Sequence, residues 1–310
     1  MTSDLYGEPE TAPAAPRAGF VSIVGRPNVG KSTLVNRLVG QKVSIVSDKP
    51  QTTRNRILAV VNREGGQVVL FDTPGIHKPM HRMNERMVQS ALRSLAQVEL
   101  AVWLVDVTEP YGPGDRHVKE ALKRSGKPVI LGVNKIDAVS KPKILPVIEQ
   151  YRGLLDFVEV VPLSGLSGDG TELLLSLMLR HLPEGPPLYP DDFLTDQPER
   201  FFVAEMVREQ ILRVTHEEIP YSVAVVIESF EEEEALVRVE ASILVERETQ
   251  KGILIGKGGS MLKTIGTGAR HGIEAFLDSK VFLGLHVKVR EHWRENGRLL
   301  EEMGLGDEKG

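Results

Sequence analysis

The chain has 310 residues, which suits about two domains, and it lacks cysteine, which excludes disulfides and zinc bound through cysteine. Hydrophobic residues make up 41% and charged residues 26%, as in an ordinary soluble protein. The sequence contains no apolar run of about 18 residues, so it does not predict a membrane-spanning helix. The net charge of −5 argues against a protein that is basic overall and binds nucleic acid through its whole surface.

Residues 1–17 are rich in proline and alanine and lack the apolar core of a signal peptide, so they predict a disordered leader. Residues 18–183 alternate short, nearly continuous apolar runs with helical patterns. This alternation predicts an α/β domain with a mostly parallel, six-stranded sheet covered on both faces. The short connection NREGG between the second and third strands predicts one antiparallel pair. The predicted strands cover residues 20–25, 57–61, 67–71, 100–107, 128–134 and 157–163.

Residues 184–199 are rich in proline and acidic residues and predict a linker. Residues 200–302 follow the order α-β-β-α-α-β, which predicts a second, three-stranded α+β domain, and residues 303–310 form a tail. Residues 247–298 carry ten Lys or Arg against five Asp or Glu, so this segment is +5 and the rest of the chain is −10. This asymmetry favours a nucleic-acid or membrane-surface site there, and a solvated helix face is the alternative.

The motif GRPNVGKS at residues 25–32 lies between a predicted strand and a predicted helix, as a phosphate-binding P-loop requires. Its backbone N–H groups and the following helix N-terminus would cradle phosphates. Lys31 would reach the β- and γ-phosphates, and the Ser32 hydroxyl would hold Mg²⁺. The motif therefore predicts a nucleoside triphosphate site.

The motif DTPG at residues 72–75 ends the third predicted strand. Asp72 would contact the magnesium shell, and the Gly75 N–H would sense the γ-phosphate. A threonine between the two motifs would reach Mg²⁺ only when the γ-phosphate is present, and we expect this to be Thr53 rather than Thr52. The predicted metal ligands are thus Ser32, Thr53 and Asp72, and the predicted catalytic residues are Lys31, Thr53 and Gly75.

The motif NKID at residues 134–137 indicates guanine specificity, because the Asp137 carboxylate can accept from guanine N1 and N2 but would stay unpaired against adenine. The SGLSG loop at 164–168 would place a backbone N–H against guanine O6. The predicted nucleotide-binding residues are Gly25, Arg26, Pro27, Asn28, Val29, Gly30, Lys31, Ser32, Thr33, Asp72, Thr73, Pro74, Gly75, Asn134, Lys135, Asp137, Ser164 and Gly165.

A G-x-x-G turn, Gly256-Lys257-Gly258-Gly259, lies between two predicted helices inside the basic segment. Such a turn lets an RNA backbone approach closely and clamps about four nucleotides. The alternative is a plain turn, but the basic surroundings and the lysine at its tip favour RNA. The predicted RNA-binding residues are Ile255, Gly256, Lys257, Gly258, Gly259, Lys263, Arg270, Lys288 and Arg290.

Together these motifs resemble the Era family of bacterial GTPases over about residues 18–302, on the strength of GRPNVGKS, PQTTR, DTPGIHKP, NKID and ILIGKGG. The resemblance implies a Ras-like G domain joined to a type II KH domain. It also implies GTP hydrolysis and binding to small-subunit ribosomal RNA near its 3′ end during 30S assembly. A cytoplasmic monomer, loosely attached to the inner face of the cell membrane, is expected as well. The family usually has alanine where this chain has Gly165.

Ile76 follows DTPG, where Ras-type enzymes have the glutamine that orients the attacking water. Ile76 cannot do this, so electrostatics and backbone groups must serve, or His77 must act as a base. Asn28 resembles the P-loop asparagine with which related GTPases hold potassium, so K⁺ is expected beside Mg²⁺. The missing glutamine also leaves open a non-enzymatic, GTP-sensing RNA chaperone. Another ribosome-assembly GTPase is a further alternative, although a single P-loop argues against a tandem one.

Overall fold

The computed structural model describes residues 15–306. Its first domain has a six-stranded sheet in the order β2-β3-β1-β4-β5-β6, in which β2 is antiparallel to β3 and every other pairing is parallel. The strands are β1 (Arg17–Val24), β2 (Ile57–Arg63), β3 (Gly66–Asp72), β4 (Leu100–Asp106), β5 (Val129–Asn134) and β6 (Glu159–Pro162). The helices are α1 (Lys31–Val39), α2 (Arg82–Gln97), α3 (Pro113–Ser125), α4 (Ile144–Arg152) and α5 (Thr171–His181).

The strands read as continuous apolar runs because both faces of this sheet are buried. On one face, β1 residues such as Val21 and Ile23 pack with α1 and α5. On the other face, Trp103 of β4 packs with α2, α3 and α4, and its ring lies 5.3 Å from that of Tyr151. The P-loop, DTPG and NKID motifs all follow the carboxyl ends of strands, so parallel pairing brings them to one edge of the sheet.

The predicted linker lies against the first domain. The N–H of Val60 in β2 donates to the carbonyl of Leu194 at 2.9 Å, and a bridge joins Ala59 to Thr195. Tyr189 and Phe193 stack on each other at 4.7 Å and pack against the sheet. The free edge of β2 is therefore covered by the segment that leads to the second domain.

At the N-terminus, β1 begins at Arg17, which the composition assigns to the leader. This boundary was wrong by one residue, because Arg17 pairs with Gly66 of β3 and bridges to Glu184. Residues 1–14 of the predicted leader lie outside the described residues, as do residues 307–310 of the predicted tail.

The second domain confirms the predicted α-β-β-α-α-β order. Its sheet has the order β7-β8-β9, with β7 antiparallel and β9 parallel to β8. The helices α6 and α9 pack on one face of this sheet through residues such as Val207 and Ile273. Its elements are α6 (Glu199–Val214), α7 (Ile219–Ser222), β7 (Ala224–Glu233), β8 (Leu236–Val245), α8 (Glu248–Ile255), α9 (Ser260–Leu277), β9 (Val281–Val289) and α10 (Gly297–Glu302).

The two domains meet through a small apolar cluster. Met83 and Met87 of α2 pack with Leu244 of β8, with Trp293 and with Leu300 of α10. The helix that follows DTPG is thereby tied to the second domain. Between residues 15 and 306, no helix is long and apolar enough to cross a membrane.

Candidate functional site

The P-loop wraps a buried lysine. Gly30 has a φ of 96° and precedes α1, and a Cβ there would lie 2.4 Å from the side-chain nitrogen of Asn134, so only glycine fits. The Lys31 Nζ donates to the carbonyls of Gly25 at 3.3 Å and Arg26 at 3.0 Å. Burial lowers the pKa of Lys31 to about 8, although Asp72 opposes the shift. The loop therefore holds a cation at the N-terminus of α1, where phosphate is favoured.

The three predicted metal ligands lie together. The Ser32 and Thr53 hydroxyl oxygens are 2.7 Å apart, and the Thr53 hydroxyl donates to Oδ2 of Asp72 at 3.4 Å. The hydroxyl of Ser44 donates to the same Oδ2 at 2.8 Å. No motif or spacing in the sequence singles out Ser44. Thr52 instead donates its hydroxyl to the Lys49 carbonyl.

This oxygen set fits a magnesium ion. Asp72 is fully buried, and its Oδ1 has no hydrogen-bond partner among residues 15–306. Burial raises the pKa of Asp72, and a nearby divalent cation would favour its ionised form. Hydroxyl and carboxylate oxygens suit Mg²⁺, which binds few protein groups and takes its other ligands from phosphates and water. The described residues contain no cluster of three or more His, Cys, Asp or Glu that could hold a metal.

The DTPG segment lies against the P-loop. A Cβ on Gly75 would come within 2.8 Å of the Pro27 nitrogen, so the two backbones can approach this closely only with glycine. The Thr73 hydroxyl donates to the Ile23 carbonyl at 2.9 Å, and the Ile76 N–H donates to the Gly25 carbonyl at 3.3 Å. Pro74 between them is buried. The γ-phosphate of a nucleotide that contacts Lys31 would therefore lie next to the DTPG backbone.

The two residues after DTPG, Ile76 and His77, differ in burial and in hydrogen bonding. The Ile76 side chain is 3% exposed and belongs to the apolar core, so it is directed away from the phosphate cradle. His77 is half-buried, with Nδ1 2.7 Å from the Gly75 carbonyl and Nε2 3.0 Å from the Asn84 amide nitrogen. Both ring nitrogens are engaged, which disfavours His77 as a free base in this arrangement.

At the base-binding end, Asn134 joins two loops. Its amide nitrogen donates to the Val29 carbonyl at 2.8 Å, and its oxygen accepts from the Gly165 N–H at 2.9 Å. A Cβ on Gly165 would lie 3.2 Å from the backbone of Leu34, which is a tight fit for any larger residue. Ser164 is buried and accepts from the Ser167 N–H.

Lys135 and Asp137 extend from the same loop. Lys135 has a left-handed backbone, and its Nζ lies 2.6 Å from Oδ2 of Asp106 at the end of β4. Although burial opposes ionisation, hydrogen bonds from Lys135 and Thr108 hold the pKa of Asp106 below its usual value. Asp137 is exposed in a single 3₁₀ turn. Sequence reasoning missed Asp106, although an acid ending a buried strand resembles the signal that marked Asp72.

A cavity of about 670 Å³ runs from the P-loop to Lys135, but Asp72, Asn134 and Asp137 do not line it. Arg26 borders it, held by Asp115 at 3.3 Å, and so does Asn28, whose amide nitrogen donates to the Asp48 carbonyl at 2.6 Å. No hydrogen bond to the Asn28 side-chain oxygen occurs within the described part of the chain, and the φ of Asn28 is 66°. Of the predicted nucleotide residues, those lining the cavity are Arg26, Pro27, Asn28, Gly30, Lys31, Ser32, Thr33, Gly75 and Lys135.

The G-x-x-G turn joins α8 to α9. Gly256, Gly258 and Gly259 have φ values of 72°, 59° and 81°, which favour glycine. A Cβ on Gly256 would clash with Met261 at 2.8 Å, whereas a Cβ on Gly258 would meet nothing within 4 Å. Lys257 at the tip is exposed. The turn therefore presents open backbone beside a cation.

The other predicted RNA-binding residues lie on the elements around this turn. Lys263 and Arg270 are exposed on α9, Lys288 is exposed on β9, and Arg290 is exposed directly after that strand. Lys288 pairs with Glu228 at 2.8 Å, which offsets its charge. Ile255, the last residue of α8, is half-buried.

Comparisons with known proteins agree with this geometry. Residues 20–135 match the family described as 50S ribosome-binding GTPase, and residues 218–294 match the KH domain family. GTPase Era of Geotalea uraniireducens is 54% identical over 93% of this chain and 97% of its own length. The chain belongs to the Era family of GTPases.

Solved Era structures carry the same two domains. An Era variant from Aquifex aeolicus bound to GDP and AlF4⁻ is 40% identical, has a TM-score of 0.89, and is matched over 94% of this chain and 99% of that one. Era in complex with MgGDPNP and nucleotides 1506–1542 of 16S ribosomal RNA is 39% identical, has a TM-score of 0.91, and is matched over the same shares. The predicted GTPase activity, G-domain fold and KH domain are thus confirmed as those of the Era family.

Proposed function

We propose that this GTPase binds GTP with Mg²⁺, docks on small-subunit ribosomal RNA near its 3′ end, and assists assembly of the 30S subunit. One observation carries the proposal. A phosphate and metal cradle and a glycine-rich, lysine-tipped turn occur in one chain that matches an RNA-bound Era structure over 94% of its length.

The role of each residue at the phosphates follows from its position around the P-loop. The Lys31 ammonium neutralises charge on the β- and γ-phosphates, and the N-terminus of α1 adds N–H donors. Ser32, Thr53 and Asp72 would hold Mg²⁺, which when bound would supply positive charge that stabilises the transfer of the phosphoryl group. The Gly75 backbone lies next to the P-loop, where its N–H meets the γ-phosphate.

At the base, the Asp137 carboxylate reads guanine N1 and N2. Support comes from its exposure beside Lys135, whose stem would lie over the base, and from Asn134, which fixes the surrounding loops. A carboxylate left unpaired against adenine gives strong discrimination against ATP.

The side chain at position 76 cannot orient the attacking water, because Ile76 is apolar and lies in the core. The switch backbone and Thr53 are the remaining candidates, and the free oxygen of Asn28 is placed to hold a potassium ion near the phosphates. Turnover is therefore slow and rises when the switch is ordered on RNA.

The choice of ribosomal subunit rests on the second domain. The GTPase family match concerns residues 20–135 and names the 50S subunit, but that match does not reach the KH domain. The relative whose KH domain is also matched holds 16S ribosomal RNA. Shape, exposed bases and backbone contacts at the G-x-x-G turn would then select the RNA.

Location and assembly state rest on the family resemblance alone. It supports a cytoplasmic monomer with loose peripheral contact to the inner face of the cell membrane. Cell fractionation with washing at high salt would test this, since a peripheral protein is released into the soluble fraction.

Crosslinking tests the central proposal. The full-length protein is mixed with separated 30S and 50S subunits, Mg²⁺ and either GDP or GDPNP, irradiated, and the RNA crosslinks are mapped. Crosslinks from residues 256–259 near the 3′ end of 16S RNA, stronger with GDPNP, are expected. Crosslinks confined to 50S RNA would overturn the choice of subunit.

A further inference from the structure

The loop that carries Thr53 is held on both sides by the second domain. Thr52 contacts Arg208 of α6, and Arg54 enters the second domain next to α7. We propose that Arg208 and Arg54 are positioning residues that place Thr53 on the magnesium ion and so favour GTP over GDP. The inference rests on the proposed role of Thr53 as a metal ligand.

Arg208 acts on the residue before Thr53. Its guanidinium donates to the Thr52 carbonyl and is 2% exposed. Glu205, one turn earlier, fixes the same guanidinium by accepting from its Nε at 2.7 Å. Because the contact with Glu205 fixes the orientation of the planar Arg208 guanidinium, the donor that faces the Thr52 carbonyl is held in place.

Arg54 is itself the residue after Thr53, and it anchors the loop to the second domain. It donates to the Val223 carbonyl at 2.6 Å and the Pro220 carbonyl at 3.2 Å, and it lies over the Trp293 ring at 5.8 Å. The Thr53 backbone is thus fixed between two guanidinium contacts. Its hydroxyl then falls 2.7 Å from that of Ser32.

The same helix holds the start of this loop. Glu209 of α6 is buried, accepts from the Val46 N–H at 3.1 Å, and pairs with Lys42 at 2.6 Å. The loop of residues 42–54 therefore lies along α6 rather than free in solvent. Its position depends on where the second domain sits.

Burying these two arginine side chains is costly. Arg54 and Arg208 are both buried, and the Arg54 Nε and one terminal nitrogen of Arg208 have no hydrogen-bond partner among residues 15–306. A bond from Thr53 to the metal and γ-phosphate would offset this cost, whereas GDP offers no γ-phosphate. The second domain therefore contributes to nucleotide preference without touching nucleotide.

The test compares affinities of the full-length protein for GDP and GDPNP in Mg²⁺ and in EDTA. The variant Arg208→Met combined with Glu205→Gln removes both charges of the pair, so the half-buried Glu205 carboxylate is not left without a partner. We expect GDPNP affinity in Mg²⁺ to fall about tenfold, as for the loss of a hydrogen bond to a charged group, with GDP affinity unchanged. In EDTA the variant and the unmodified protein should not differ. Arg208→Lys, which keeps the charge, should recover part of the loss.

Arg200→Met is the matched control, because Arg200 is exposed on the same helix. Arg54→Lys provides a second variant and should show the same selective loss. An equal loss for both nucleotides, no loss, or a loss that persists in EDTA would overturn the positioning role. If Lys31→Ala left both affinities unchanged, the nucleotide site itself, and with it this inference, would be overturned.

Discussion

The candidate nucleotide site and the G-x-x-G turn are built for phosphate in opposite ways. At the nucleotide site, Lys31, Asp72 and Asn134 are buried and joined to the loops around them by hydrogen bonds or charge. At the turn, Lys257 and Gly258 are exposed, and a Cβ on Gly258 would meet open space.

The difference reflects the size of the ligand. A small, highly charged ligand gains from preorganised buried donors, because they need no reorganisation. The backbone of a polymer must approach the protein surface closely. A turn without side chains, and a positive charge beside it, therefore matter more for RNA. Substitutions at the nucleotide site should therefore change chemistry or base preference, and substitutions at the turn should change RNA affinity alone.

The largest expected effect is at the guanine-reading carboxylate. Asp137→Asn should shift preference from GTP towards xanthosine triphosphate by about 10⁴-fold, because the amide can donate to the 2-oxo group. Competition binding against both nucleotides measures this. Asp156→Asn, another exposed acid of the first domain, is the control. Equal competition by ATP and GTP in the unmodified protein would rule out the assignment.

Lys31→Ala should reduce GTP turnover by about 10²–10³-fold, as for the loss of one preorganised charge-stabilising donor. RNA affinity without nucleotide should not change, which separates the two sites. Single-turnover phosphate release and a filter-binding assay give both numbers, with exposed Lys123→Ala as control. Normal turnover would remove the P-loop from the mechanism.

Gly258→Asp should weaken RNA binding by roughly 10- to 100-fold, because it adds a negative charge where phosphates pass. GTP affinity should be retained. Gly126→Asp is a close match, since Gly126 also has a positive φ, 64°, and a Cβ added there would have no neighbour within 4 Å, but it lies in the first domain. Equal RNA loss in both variants would point to a general charge effect.

Potassium should matter less. Turnover in K⁺ should exceed that in Na⁺ at equal ionic strength by roughly tenfold or less, since a loosely held cation is weaker than an arginine finger. Asn28→Ala should remove most of the difference, but it also strains a left-handed backbone. Asn28→Gly keeps that conformation and isolates the amide. Equal rates of the unmodified protein in the two salts would exclude the cation.

The smallest effect is expected at Ile76. Ile76→Val should lower the free energy of unfolding by about 1 kcal/mol, because it removes one buried methyl group, and leave turnover per folded molecule unchanged. Ile76→Ala would open a larger cavity and confuse stability with catalysis. A large fall in turnover in Ile76→Val at full folding would show that this side chain takes part in chemistry.

Local patterns in the chain were sufficient to predict its elements and motifs. Continuous apolar strands, the 2.0 and 3.6 periodicities and the spacing of GRPNVGKS, DTPG and NKID are local properties, so the sheet, the order of the second domain and the phosphate loop followed from them. The start of β1 was predicted at residue 20 instead of Arg17, because Arg17 is held by pairing with β3, which no local pattern records.

The meeting of distant groups, by contrast, depends on how the chain packs. Ser44 reaches Asp72, Asp106 pairs with Lys135, and Ile76 is buried away from the phosphates. The contacts of Arg54 and Arg208 span more than 150 residues of chain. The contacts of Arg54 and Arg208 arise from the packing of the two domains, and the others arise from the packing of strands and loops within the first domain. A single sequence carries no local signal for either kind of packing, because the preference of a side chain for its own helix, strand or loop does not depend on a distant partner.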